Sequence, residues 1–296
     1  MKLFQKFFLQ QEDFSISPQP VIALLYAKRP TFSLSERITA IAEFEPTRNK
    51  PKVIIEQEWK EQNFLLAEVN YDEHVIEIAG FPSPLPTQAM ERTIFASPWS
   101  ADLKELLQSH LLNIVLKYAG SHTDPIEQYI SLYKVAGMML DDGLLGIVNE
   151  PAWTCHPAYV IEQILEPQFL SISRQSPPLV YWTGFVRGQL GDEFWALSKG
   201  NYLFDVPDFA FQLDPHSDAF EINQTFHALF DYFYFEKPEV QSGDALQLEE
   251  DLFYLFEDPS PDYAEAFATP GKVYIIRTTT ADDLNAFDDW NNPDLS

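Results

Sequence analysis

The sequence predicts an α+β fold: a mixed β-sheet with helices packed on it and a β-α-β-α unit in the middle of the chain. Three observations predict it. Hydrophobic residues make up 46% of the 296 residues and aromatics 15%, which is apolar area enough for a large core. Strand-like and helical periodicities alternate through residues 101–165, the pattern of strands joined by helical crossovers. Residues 63–70 and 74–79 are two strand-like runs around Tyr71-Asp72-Glu73, a hairpin that makes the sheet mixed.

Taken in order, Leu3, Phe4, Phe7 and Phe8 line one face of a short helix, expected to dock on the protein's own core. Residues 21–27 are a continuous apolar run, hence a buried strand. Ser33 or Ser35 caps a helix that ends before Pro46. Residues 81–86, with prolines at 82, 84 and 86, form a rigid extended connection. A helix over 101–108 and a strand over 111–118 follow. The next helix has Asp124 as cap, Pro125 at the first helical position and Glu127 completing a D-x-x-E box. Its apolar positions are Ile126, Ile130, Tyr133, Gly137 and Leu140, and the small Ala136 and Gly137 let it approach a sheet. Asp142-Gly143 ends it through a left-handed glycine. A strand over 144–148 and a helix from Pro157 to about Leu165 complete the middle.

Residues 166–178 hold three prolines and three serines and read as a linker. Beyond it, 179–187 and 193–198 form a second hairpin around Gly188 and Gly191. Asp218 caps a helix through Phe235 that carries Phe220, Phe226, Phe230, Phe233 and Tyr234, and 273–277 is a late strand. The expected organisation is an α+β half over 1–170, a second α+β half over 171–281 packed on the first, and an acidic mobile tail over 282–296.

Charge excludes several function classes. The formal net charge is −26, from 19 basic and 45 acidic side chains. Residues 189–296 carry 23 acidic and 4 basic residues, so this part holds −19 of the total. Such a field repels phosphate backbones and anionic membranes, and it steers basic proteins. No stretch approaches the apolar length of a spanning helix. The one cysteine, Cys155, rules out an internal disulfide and fits a reducing compartment, so the expected location is the cytoplasm.

The stretch DPIEQYISLYKVAGMMLDDGLLGIVNEPAWTCHPAYVIEQIL, followed by YWTGFVRG and DEFWALSKGNYLFDVPDFAFQL, resembles the bacterial domain-of-unknown-function family numbered 4261. The likeness spans about half the chain and rests on the order of helix, glycine-ended turn, strand, tryptophan-bearing loop and helix. It implies an α+β protein of bacterial type, and it supplies no activity, cofactor or site residue.

The best pocket candidate is the segment between the strand at 144–148 and the helix opening at Pro157, with Asn149, Trp153, Cys155 and His156. A thiol at a helix N-terminus is acidified, and strand-to-helix loops are where α/β sheets place ligands. Against this, a lone cysteine is among the most often buried residues, and adjacent Cys and His point apart in an extended stretch. His122 and Asp124 form an H-x-D pair, with Asp124 better read as a cap. The six histidines form no zinc motif, so no metal is expected. No G-x-S-x-G and no G-x-x-x-x-G-K-[ST] occurs, so no nucleophile elbow, phosphate loop or other cofactor signature is present. Trp182, Trp195 and Tyr181 lie on expected strands as core aromatics. The reading that follows is a non-enzymatic interaction protein offering an acidic surface to a basic protein partner, as an immunity or regulatory protein does. The rivals are a cysteine-dependent hydrolase or transferase and a ligand-binding module near Trp153.

Overall fold

The computed structural model describes residues 19–59, 64–214, 217–249 and 252–280. The Phe-rich segment at 3–8 and the acidic tail lie outside them. The chain divides into two compact units, 1–183 and 184–296, thirteen residues beyond the boundary the sequence suggests. The fold is α+β, with strands running in both directions and helices on the sheets.

The first unit is built on a seven-stranded sheet of order β2-β3-β4-β5-β1-β6-β7. Its strands are β1 (Val21–Tyr26), β2 (Lys52–Gln57), β3 (Leu65–Tyr71), β4 (His74–Phe81), β5 (Leu112–Tyr118), β6 (Leu144–Asn149) and β7 (Thr154–Pro157). The expected hairpin is β3–β4. β5 and β6 are joined by the Pro125–Met138 helix and point the same way, as the alternation predicts, but β1 lies between them and runs antiparallel to both. A strand buried over five of its six residues, such as β1 with the sequence VIALLY, suits that central slot.

Asp124 caps the Pro125–Met138 helix by accepting from the Ile126 amide at 2.9 Å, with Pro125 at its start. Eleven of its fourteen residues are buried, because strands β4 and β5 flank one side and the Ala40–Phe44 and Tyr159–Leu165 helices the other. Gly137 therefore serves helix–helix rather than helix–sheet packing: a Cβ there would sit 2.2 Å from Leu165 Cδ1 and 2.9 Å from the Phe44 ring. The helix ends at Met138, with Met139 as cap, so the left-handed stop expected at Gly143 is not used. Gly143 instead donates its amide to Asp141 at 2.9 Å. Residues 81–86 carry no regular structure beyond the end of β4, and the Ala101–Gln108 helix is present. The expected linker at 166–178 contains the Pro167–Ser173 helix, with Leu170 buried.

The second unit is a six-stranded sheet of order β11-β12-β13-β10-β9-β8. Its strands are β8 (Gly184–Leu190), β9 (Glu193–Lys199), β10 (Asp208–Leu213), β11 (Ala245–Glu249), β12 (Leu252–Glu257) and β13 (Val273–Thr279). β10 and β13 pair in parallel and the other neighbours are antiparallel. Two helices cover opposite faces. The Ala219–Asp231 helix, capped by Asp218 on the Phe220 amide at 2.7 Å, packs Phe226 on Phe185 and Phe209. The Pro261–Phe267 helix packs Phe267 on Trp195 of the other face, in a cluster with Leu197, Ala210, Val273 and Ile275. The expected second hairpin is β8–β9, but Leu179–Trp182 is a helical turn before it, so Tyr181 and Trp182 are not strand residues.

Candidate functional site

Cys155 and His156 lie on β7, an edge strand, and not in a loop opening a helix. Trp153 adopts a left-handed backbone (φ 55°) and donates its amide to the Glu150 carbonyl at 3.0 Å. That four-residue turn returns the chain antiparallel to β6, pairing Val148 with Cys155, Ile147 with His156 and Asn149 with Thr154. Pro157 closes the strand, and the helix starts at Tyr159. Side chains alternate across a strand, so Cys155 and His156 face opposite sides of the sheet.

Their surroundings agree. Cys155 packs among Leu25, Leu85, Ile94, Leu107 and Val148. It is fully buried, and desolvation pushes its thiol up to about 12, away from the thiolate. The opposite face carries His156, whose ring meets Trp99 and Tyr181 edge-on at centroid distances of 5.9 and 5.3 Å. Burial holds its pKa down to about 4, so it is neutral at pH 7. The Cys–His dyad therefore does not exist as a unit. Cys155 in the folded protein is expected to resist thiol labelling from pH 6 to about 9; labelling at the rate of the unfolded chain contradicts this burial.

Asn149, on the His156 face, is a brace. Its Nδ2 donates to the Tyr129 hydroxyl at 2.8 Å and to the Trp182 carbonyl at 3.0 Å, tying β6 to the long helix and to the 179–182 turn. The Trp182 ring stacks on Tyr129 at 5.3 Å and 14°. Four buried polar atoms on this face have no hydrogen-bond partner among the described residues: Asn149 Oδ1, Thr154 Oγ1 and both ring nitrogens of His156. The Tyr181 backbone favours the charged imidazole without reaching hydrogen-bond geometry. Buried polar atoms of this kind are normally satisfied by ordered water.

Trp153 lies in the turn, with the Arg92 guanidinium 5.5 Å from its ring centre. His122 is elsewhere: its ring stacks on His74 of β4 at 5.4 Å, and its Nδ1 accepts from the Asp124 amide at 3.2 Å. Burial and the His122 charge hold His74 down to about 4. The structure thus brings Asn149 and His156 to one face, places Trp153 at the adjoining turn, and separates Cys155 and His122 from them. Gly146, opposite Pro157, shows how tight β6–β7 is. A Cβ would lie 2.5 Å from the His156 carbonyl oxygen and 2.4 Å from Leu107 Cδ2. Gly146→Ala is expected to cost about 1–3 kcal/mol in urea denaturation, and a neutral result contradicts that approach.

The sequence reading misses a four-member charge cluster. Arg174 donates to Glu45 with two bonds of 2.9 Å and also binds Glu127, while Lys134 reaches Glu45 at 2.6 Å. Arg174 first, then Lys134, holds the Glu45 carboxyl down to about 2. Glu127 is thereby an ion-pair residue rather than the far end of a capping box. The cluster pins the Ala40–Phe44, Pro125–Met138 and Pro167–Ser173 helices together at their ends. Its charges are mutually satisfied, as a structural clamp requires.

In the second unit the buried polar centre is Asp208. It accepts from the Asn201 amide at 3.0 Å, from Ser198 Oγ at 3.4 Å and from Thr269 Oγ1. Desolvation raises its pKa to about 6. These bonds fasten the Asn201–Phe204 turn and the start of β10, and they leave Ser198 engaged also with Asn201 and Phe209.

The outside of this unit is where charge gathers. Residues 184–296 hold 23 acidic and 5 basic side chains. Exposed carboxylates stand on both helical layers: Asp218 and Glu221 on one, Asp262 and Glu265 on the other, with Asp192, Asp205, Asp214, Asp244 and Asp258 in loops. The described exposed carboxylates of this unit therefore lie on both of its faces. Among the described residues no group of three or more His, Cys, Asp or Glu is placed to hold a metal, and no helix is long and apolar enough to cross a membrane. No protein-family model matches the chain, and neither a curated protein nor a solved structure matches it.

Proposed function

We propose that this chain is a non-catalytic cytoplasmic interaction protein whose second unit offers a carboxylate surface to a basic protein partner, as an immunity or regulatory protein does for a cationic target. The observation that carries the reading is the excess of 18 acidic side chains in residues 184–296, with exposed carboxylates among the described residues on both helical layers. Electrostatic complementarity of this kind accelerates encounter with a basic surface and rejects phosphate-rich partners. The separation of Cys155 from His156 across the sheet, and the inert thiol, weigh against the hydrolase reading.

The test uses a labelled peptide alternating lysine and serine. Wild-type affinity is expected to fall about tenfold or more between about 50 and 300 mM salt. Neutralising Glu221, Asp258, Asp262 and Glu265 to their amides weakens binding strongly, while neutralising Glu36, Glu43, Asp102 and Glu162 of the first unit does so far less. Salt-independent binding, or equal losses from both sets, refutes the proposal.

A further inference from the structure

The helix that opens at Asp218 does not stop at Asp231: residues Tyr232–Glu236 continue it as a widened, π-helical turn. That turn sorts its aromatic side chains to two sides. Phe233 points inward and is buried against Phe209, Phe256 and Tyr274, at ring-centre distances of 5.6, 5.7 and 6.3 Å. Phe235, about half a turn further on, comes out on the other side and is 49% exposed.

Phe235 does not stand alone. Its ring meets that of Tyr234 at 5.1 Å and 85°, so the two rings are perpendicular and wall a right-angled corner. The core holds Tyr234 in place. Phe230 stacks on it at 5.6 Å and 13°, and Phe204 meets it edge-on at 6.4 Å. Phe230 and Phe204 are themselves buried, so the corner stands on a packed base.

The charge around this corner is negative. Asp231 lies one turn before Phe235, which makes the two neighbours on the helix surface. Glu236 and Glu239 follow, both exposed. Lys237 is the one cation of residues 231–240, against those three carboxylates. The helix ends at Lys237, left-handed at φ 48° and donating its amide to the Phe233 carbonyl at 3.1 Å. The C-terminal end of a helix adds partial negative charge of its own. Among the described residues no cation lies over Phe235. Lys272 is engaged elsewhere, 4.1 Å from the Tyr274 ring centre and donating to its hydroxyl.

Aromatic faces are electron-rich, so perpendicular rings bordered by carboxylates attract an organic cation. A guanidinium suits this corner better than an ammonium. It is flat and weakly hydrated, and it stacks on a ring while its N–H groups reach carboxylates. We propose that the Tyr234–Phe235 corner takes an arginine side chain of the basic partner, its guanidinium on Phe235 and its N–H groups toward Asp231 and Glu236. This rests on the acidic-surface reading above and adds to it a choice of arginine over lysine.

Two labelled peptides of equal length and charge, one alternating arginine and serine and one lysine and serine, test the corner by fluorescence anisotropy. The arginine peptide is expected to bind the wild-type chain about threefold or more tightly. Phe235→Leu keeps apolar area but loses the ring. It is expected to weaken the arginine peptide about threefold or more and to leave the lysine peptide within about twofold of wild type. Phe220→Leu, at the other end of the same helix and 67% exposed, serves as control and is expected to bind both peptides as wild type does. Equal affinity of the two peptides for wild type, an arginine peptide unaffected by Phe235→Leu, or an equal loss in both variants overturns the corner while the acidic surface stands. Salt-independent binding of the lysine peptide to wild type overturns the acidic surface. Both positions are exposed, and unchanged circular dichroism confirms that the variants are folded.

Discussion

Trp182→Ala is expected to destabilise the first unit by about 3–5 kcal/mol. The ring is fully buried, stacked on Tyr129 and tilted against Tyr133 at 6.4 Å. Its removal empties a large volume between the long helix and the 179–182 turn, and it strips the stack from the tyrosine that Asn149 holds. Trp182→Phe keeps a ring that can stack and is expected to cost less, about 1–2 kcal/mol. Amide exchange of β6 residues reads the effect in this unit alone. A loss under about 1 kcal/mol for the alanine variant contradicts the core position of Trp182.

The two units are expected to respond to acid in opposite directions. Asp208 titrates at about 6 when folded, against an ordinary 3.8, because burial disfavours its charged form. Between those values the folded state holds a proton that the unfolded chain has released. The second unit therefore loses stability as pH rises from about 4 through about 6, by up to about 3 kcal/mol. The raised Asp231 adds to this trend, and the depressed His227 opposes it. In the first unit His156 and His74 are held down to about 4 against 6.5, so the unfolded chain takes up protons first. That unit loses stability as pH falls through this window. Hydrogen exchange at pH 4.5 and 7, compared between β10 and β6, separates the two trends. Asp208→Asn is expected to flatten the β10 trend while keeping the fold, since Asn Oδ1 still accepts from the Asn201 amide and Nδ2 can donate to Thr269. Stability of β10 that rises with pH across this window, in wild type, contradicts the burial of an ionisable Asp208.

Local signals in the sequence were reliable where a single segment decides the outcome. Asp124 and Asp218 cap the helices they were expected to cap, and the β3–β4 hairpin follows from its alternation and turn. The signals ran out where distant segments decide. Nothing near residue 113 or 147 says that β1 will insert between β5 and β6. Glu127 sits where a capping box would want it, yet Arg174, 47 residues away, claims its carboxylate. Thr154–Pro157 looked like the mouth of a helix because Pro157 is a good helix starter, but the left-handed Trp153 makes it a strand. Strands β2, β11 and β12 are short segments whose identity depends on the neighbour they pair with. The candidate site was legible as a neighbourhood, Asn149 to His156, but not as an arrangement. Strand alternation, known only once β7 is known, parts Cys155 from His156.

The most direct test of the acidic second unit as the contact surface is a chemical-shift map of the isotope-labelled chain titrated with the lysine–serine peptide. The account predicts perturbations confined to residues 184–296. Perturbations centred in the first unit, or spread evenly over both, would contradict it.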